Sequence, residues 1–291
     1  MSGKGGVGKS TLSVLLGLAA AERGKTALIV ETNSSGRIAP IFGVDQAPHK
    51  VVRLTRNLGA INLLPENSFK EYALSVVSFK AIYNAVFTNK YVSNFLNAAP
   101  GLDEFMMLAK IDKLVQEKQK LSSKPTFDIV IVDAPATGHA LSLLEVPAII
   151  ASAIRLGPPH KHARSILSLL ADTEQTALCA VTLAEEMPVC ESEEFVRDLG
   201  EKTKVSLGPL FVNAVMPAPA EASASQRANG DLSFLNDYYR LARSRAALNQ
   251  HYLEEINKRF PGLDKIVLPF QFNPLRSHEA FAPLVAHLKD Q

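Results

Sequence analysis

An α/β fold, with a mostly parallel sheet flanked by helices, is what the 291-residue sequence predicts. Two observations carry this expectation. Strand-like apolar runs alternate with longer helix-like stretches, the order that places helices on both faces of a parallel sheet. A glycine-rich segment also stands directly before the first helix, where α/β proteins gather anions.

In chain order, residues 10–23 (STLSVLLGLAAAER) read as the first helix, ended by Gly24. Residues 26–31 (TALIVE) read as a buried strand, and 60–64 (AINLL) as another, stopped at Pro65. From 68 to 120 the pattern turns helical and rich in Phe, Tyr, Leu and Met, which we read as a helical insertion. Residues 127–132 (FDIVIV) form the clearest strand, an apolar β-branched run broken only by Asp128 and ending on Asp133. Further strands are expected at 178–183, 209–213 and 265–268, and helices across 231–260. The Pro/Ala/Ser-rich stretch 217–230 reads as a mobile loop. No internal repeat interrupts this order, so we expect a single domain over 1–291.

Composition narrows the class. Hydrophobic residues make up 47% and charged residues 21%, as in ordinary globular proteins. The formal net charge of +2 comes without a long basic block, so no nucleic-acid partner is expected. The chain holds two cysteines, Cys179 and Cys190, with no CxxC pair. They read as reduced, buried thiols of a cytoplasmic protein. No apolar run reaches the roughly 18 residues that a membrane span requires, and no signal peptide is evident.

The chemistry is concentrated near the start. Gly3-Lys4-Gly5-Gly6-Val7-Gly8-Lys9-Ser10, followed by Thr11, satisfies the phosphate-loop pattern G-x-x-x-x-G-K-[ST]. The glycines let successive N–H groups curl around a polyphosphate without Cβ clashes. Lys9 is placed to reach the β/γ-phosphates and the Ser10 hydroxyl to ligate Mg²⁺, while the helix N-terminus adds its dipole. The expected cofactors are therefore ATP/ADP and Mg²⁺, and the expected fold is that of a P-loop NTPase. Only Met1 and Ser2 precede the loop. The first central strand is thus expected to be missing or truncated, with the true start further upstream. A sheet without that strand would expose two edges.

The second lysine, Lys4, marks the deviant form of this loop. It resembles the loop of P-loop ATPases that work as nucleotide-sandwich dimers. In that subclass the extra lysine reaches the partner's nucleotide, so the resemblance makes Lys4 a catalytic residue acting in trans. Residues 133–144 (DAPATGHALSLL) resemble the switch II segment of the arsenite-pump and tail-anchored-protein-targeting ATPase family. On that resemblance Asp133 is the Walker-B-type carboxylate that acts on Mg²⁺ through water. Gly138 lets the loop approach the γ-phosphate, and His139 matches the motif histidine. Residues 100–110, 181–199 and 252–284 resemble further family segments in order. Asn213, within LFVNAVMP, matches the position that hydrogen-bonds adenine.

The sequence departs from the family in switch I. The family reads D-P-A-H-[SN] there, whereas this chain has Asn33-Ser34-Ser35-Gly36-Arg37. An amide orients water but cannot take its proton as a carboxylate can. Asn33 therefore predicts reduced turnover, with Glu31 as a candidate substitute. The chain has too few cysteines for a three-thiolate arsenite site, and one phosphate loop rather than a tandem pair.

Phe69, Tyr72, Val76, Phe79, Tyr83, Phe87, Tyr91, Phe95, Phe105, Met106 and Met107 are candidates for a groove holding a client's hydrophobic helix. The same stripe also reads as ordinary core.

The sequence thus predicts a cytoplasmic, anion-transporting/arsenite-pump-like ATPase, in part peripheral to membranes. It would work as a homodimer or as a heterodimer with a paralogue, on membrane-protein clients. The alternative is a catalytically weakened regulatory subunit paired with an active paralogue.

Overall fold

A computed structural model of the chain describes residues 1–32, 34–45, 49–76, 101–119, 124–219 and 233–289. Its strands are β1 (Ser2–Gly3), β2 (Ala27–Thr32), β3 (Val52–Arg53), β4 (Leu58–Leu63), β5 (Ile129–Asp133), β6 (Ala180–Leu183), β7 (Leu210–Val215) and β8 (Lys265–Pro269). Its helices are α1 (Lys9–Glu22), α2 (Ile38–Ile41), α3 (Pro65–Val76), α4 (Leu102–Gln116), α5 (Thr137–Ala153), α6 (Pro158–Ala171), α7 (Glu186–Lys202), α8 (Ser233–Arg259) and α9 (Ala282–Lys289). The strands form two four-stranded sheets, ordered β3-β4-β2-β5 and β1-β6-β7-β8. All pairings within them are parallel except that of β3 with β4.

Side-chain alternation along the strands decides which helices cover which face. Ala27, Ile29, Leu58 and Ala60 point into a core shared with Leu12, Leu15 and Ala19 of α1 and with Leu284 and Val285 of α9. Their neighbours Leu28, Val30, Ile61 and Leu63 face the opposite way, onto Phe105 and Leu108 of α4, Leu143 of α5 and Ile166 of α6. In the second sheet, Val181, Phe211 and Leu268 join the α1 side. Ala180, Leu210 and Val212 instead meet Val189 of α7 and Ile256 and Phe260 of α8. Burial on both faces explains why these strands read as nearly unbroken apolar runs.

The central strand is short rather than absent. The Met1 nitrogen donates to Val132 O at 2.8 Å, and Met1 O accepts from Ala134 N at 3.1 Å. On the other side Ser2 N donates to Cys179 O, and Ser2 and Gly3 pair with Ala180 and Val181. Three residues therefore hydrogen-bond to the facing edges of both half-sheets.

Several boundaries shift for local reasons. The strand expected from 127 begins at Ile129, because the Asp128 carboxylate accepts from Thr26 N and Thr26 Oγ1. The strand expected at 209–213 runs on to Val215 through a register shift. Residues 77–100 and 120 of the expected helical insertion, and 220–230 of the expected loop, lie outside the described residues.

Candidate functional site

The site gathers at the carboxyl ends of the parallel strands, where open α/β sheets place ligands. Gly8 is the N-cap of α1 and adopts a left-handed φ of 95°, so the loop turns sharply and its N–H groups face inward. A Cβ at Gly8 would strike the Asn213 amide nitrogen, and one at Gly3 would strike the Val181 carbonyl oxygen. At Gly3 the obstacle is backbone, so contact alone requires glycine; at Gly8 the obstacle is a side-chain end, and the left-handed φ is what favours glycine. Gly5 and Gly6 are exposed, and Val7 is buried in the core beneath the loop.

Lys9 curls back over the loop, donating to Gly3 O and Lys4 O at 3.0 Å each. Burial lowers its pKa below the ordinary lysine value, an effect opposed by the Asp133 charge. Ser10 Oγ, in the first turn of α1, donates to Asp133 Oδ2 at 2.6 Å. Thr11 follows in the same turn.

Asp133 ends β5 beside the end of β2, where Thr32 Oγ1 donates to its backbone carbonyl at 2.9 Å. Burial pushes the Asp133 carboxyl above the ordinary carboxylate range, against the Ser10 hydrogen bond and the nearby Lys9 charge. Its Oδ1 is buried with no hydrogen-bond partner. The buried carboxylate with an orphan oxygen and the Ser10 hydroxyl are oxygen donors of the kind a divalent cation takes, while Lys9 supplies positive charge beside them.

Lys4 points away from this cluster. Its Nζ lies 2.6 Å from Glu191 Oε1 on α7. Asn213 donates from Nδ2 to Val7 O at 2.9 Å, so the residue matched to adenine recognition touches the phosphate loop itself. Gly138 and His139 lie exposed in the first turn of α5, and no side chain crowds Gly138.

Asn33 lies outside the described residues. Glu31, the candidate substitute, is engaged elsewhere in this structure. It is buried, and its Oε1 accepts from Ser34 Oγ and Arg37 N at 2.8 Å each, while Oε2 faces Ile38 N. Those bonds hold the turn into α2 and leave the carboxylate committed to backbone. Beside it, a cavity of about 540 Å³ is lined by Ser34, Ser35, Gly36, Asp45 and Asn62 among others.

The aromatic stripe divides. Phe105, Met106 and Met107 are buried core under β2 and β4, and Met106 also lines a cavity shared with Tyr72, Lys110 and His162. Tyr72 is half-buried, packs edge-on against Phe105 and hydrogen-bonds His162 Nδ1 at 3.0 Å. The side chains of Phe69 and Val76, and all of Phe79, Tyr83, Phe87, Tyr91 and Phe95, lie outside the described residues. Cys179 and Cys190 are free thiols, half-buried rather than fully buried. No helix among the described residues is long and apolar enough to cross a membrane.

Sequence reasoning missed Glu191. It lies 187 positions from Lys4, so no local pattern ties the two together.

The anion-transporting ATPase family matches this chain over residues 1–169 and 156–290. Over 226 residues the chain is 31% identical to the ATPase BagA of Mycobacterium tuberculosis, covering 76% of this chain and 66% of that protein. It is 27% identical over 248 residues to the arsenical pump-driving ATPase of Acidiphilium multivorum, covering 77% of this chain and 40% of that one. It is 21% identical over 329 residues to the ATPase get3 of Aspergillus terreus, covering 99% and 89%. The match thus spans just under two thirds of the mycobacterial relative's length.

Proposed function

The chain belongs to the anion-transporting ATPase family, and from that membership we propose that it binds ATP with Mg²⁺ on the Gly3–Thr11 loop and hydrolyses it. The supporting observation is the convergence of Lys9, Ser10 and the orphan oxygen of Asp133 beneath a loop with no room for a Cβ at Gly3 and a left-handed φ at Gly8. Lys9 exchanges its two loop carbonyls for β/γ-phosphate oxygens. Ser10 Oγ and the Asp133 carboxylate are the residues that would hold Mg²⁺. The metal supplies positive charge that offsets the charge developing on the transferred phosphoryl group. Asn213 turns from Val7 toward the base, and Gly138 lets switch II close.

In the same reading the protein acts as a nucleotide-sandwich dimer, homomeric or with a paralogue. Lys4 crosses to the partner's nucleotide, in line with the deviant loop. The client is a hydrophobic helix or a membrane protein, reached from the cytoplasm at the membrane surface.

Asn33 favours a second reading. It orients the attacking water but takes no proton, and Glu31 is occupied elsewhere. A regulatory subunit that depends on an active paralogue fits that pair of facts.

Steady-state hydrolysis with Mg²⁺ tests both. Measurable turnover that falls about 100-fold in Lys4→Ala is expected for an ATPase working in trans. Tight ATP binding with no turnover, rescued by Asn33→Asp, selects the regulatory subunit. Failure to bind ATP at all sinks both.

A further inference from the structure

Lys4 follows directly on β1, so its backbone is fixed by the pairing of Gly3 with Val181. That places it beside α7, the helix that follows β6. Its Nζ meets Glu191 Oε1 at 2.6 Å, with both side chains about one third exposed, at 32% and 31%. The other carboxylates nearby are engaged differently: Glu185 pairs with Arg245, and Glu193 with Arg259. Arg259 also approaches Cys190 Sγ at 3.5 Å, so α7 is anchored on α8 from both sides of Glu191. Glu191 therefore presents its charge to Lys4 from a held helix rather than a loose one.

An ammonium is a compact point charge at the end of one stem, so contact with Glu191 on its own subunit competes with reaching an anion on another. We propose that Glu191 is a resting-state latch: it holds Lys4 against its own subunit and must release it before Lys4 engages a nucleotide phosphate in trans. This inference rests on the trans reading of Lys4. The latch sets a threshold, because partly exposed ion pairs are weak enough to exchange. Its strength corresponds to a population ratio of about 1.4- to 5-fold. A phosphate anion outcompetes a bond of that size, and without one the closed form is only the more populated of two exchanging states.

Two measurements separate the latch from the reading beneath it. The first is acylation of the Lys4 amine in the nucleotide-free protein, read by mass spectrometry. Glu191→Gln is expected to raise labelling of Lys4 about two- to fivefold and leave other lysines unchanged, and high salt is expected to do the same in the unaltered protein. Unchanged labelling overturns the latch.

The second is sedimentation with Mg²⁺ and the slowly hydrolysed analogue ATPγS. Glu191→Gln is expected to lower the analogue concentration for half-dimerisation by about two- to fivefold. The same substitution in a Lys4→Ala background is expected to change nothing. If Glu191→Gln weakens dimerisation, Glu191 is an interface contact and the latch is wrong. If Lys4→Ala dimerises normally while labelling still responds to Glu191→Gln, the trans reading fails although the ion pair is real.

Discussion

The two half-sheets end differently, and their ends make different parts of the site. In the first, β2 pairs in unbroken register with β4 and β5, from Ala27 to Thr32 and from Ala27 to Glu31. Its carboxyl end follows that ladder directly: Glu31 braces the turn into α2 by accepting from Arg37 N, and the Asp133 carbonyl accepts from Thr32 Oγ1. In the second, β7 shifts register between Val212 and Val215, and Ala214 takes a left-handed φ of 54°. Its end is held by side chains instead. Asn249 accepts from Met216 N and donates to Ala184 O, and Asn213 donates to Val7 O.

A ladder of parallel strands opens only as a unit, whereas single side-chain bonds exchange at about 1 kcal/mol each. The acid of the proposed metal site thus sits on the rigid half. The groups proposed to change partners, Asn213 and Lys4, sit on the adjustable half.

The largest expected effect breaks the seam between the halves. A Cβ at Gly3 collides with the Val181 carbonyl and crowds Val7 at 3.1 Å. Because the obstacle is backbone in a buried sheet, Gly3→Ala is expected to cost at least about 3 kcal/mol. The chain has no tryptophan, so urea unfolding followed by far-UV circular dichroism is the suitable probe. A single transition at an unchanged midpoint would show that the halves do not depend on this strand.

Next in size is a change confined to the rigid half. Burial raises the Asp133 carboxyl above its ordinary value, so the folded state binds its proton more tightly than the unfolded chain. Stability from this group is therefore greatest below the unfolded carboxylate pKa and is lost as pH rises through the raised folded value. At neutral pH the ionised form is a cost that a bound cation relieves. Asp133→Asn is expected to keep or raise the melting temperature of the ligand-free protein. It should abolish the Mg²⁺-dependent gain with ATP, which is about 2.7 kcal/mol at ligand one hundredfold above Kd. In the unaltered protein that gain should fade on acidification, starting above the ordinary carboxylate range. Differential scanning fluorimetry with and without Mg²⁺ across pH decides it; an undiminished gain in Asp133→Asn removes Asp133 from the metal site.

The same contrast explains what was legible in the sequence. The rigid half was readable because its determinants are local: apolar runs at strand spacing, Gly24 stopping α1 at φ 75°, and Asp133 closing a β-branched run. The phosphate loop was readable because its chemistry demands fixed residue types at fixed spacing. The central strand was not, since hydrogen bonds to two neighbours, rather than its own length or pattern, make Met1–Gly3 a strand. The partners of Lys4 and Asn213 were not either, because their contacts join segments 187 and 206 positions apart along the chain, respectively. Glu31 misled for a related reason. A carboxylate two residues before Asn33 looks catalytic until the backbone donors it satisfies are seen.

The smallest effect tests whether the adjustable half is held by side chains alone. A left-handed conformation costs a non-glycine residue about 1–2 kcal/mol, and Ala214 adopts it inside the β7 irregularity. Glycine removes that strain but adds about 0.4–1 kcal/mol of unfolded-chain entropy. Ala214→Gly is therefore expected to stabilise the protein by about 0.5 kcal/mol, the difference between those effects. ATP affinity should stay unchanged, because Asn249 and Asn213 hold the strand end on either side of residue 214. Urea unfolding and nucleotide titration of the one variant report both quantities. If stability rises while ATP binding weakens, the strained backbone itself aims Asn213, and the strand end is preorganised by its own conformation. If stability falls by about 1 kcal/mol, the Ala214 methyl packs well enough to outweigh the strain. The second half-sheet would then be specified as tightly as the first, and the division between a rigid and an adjustable half would not hold.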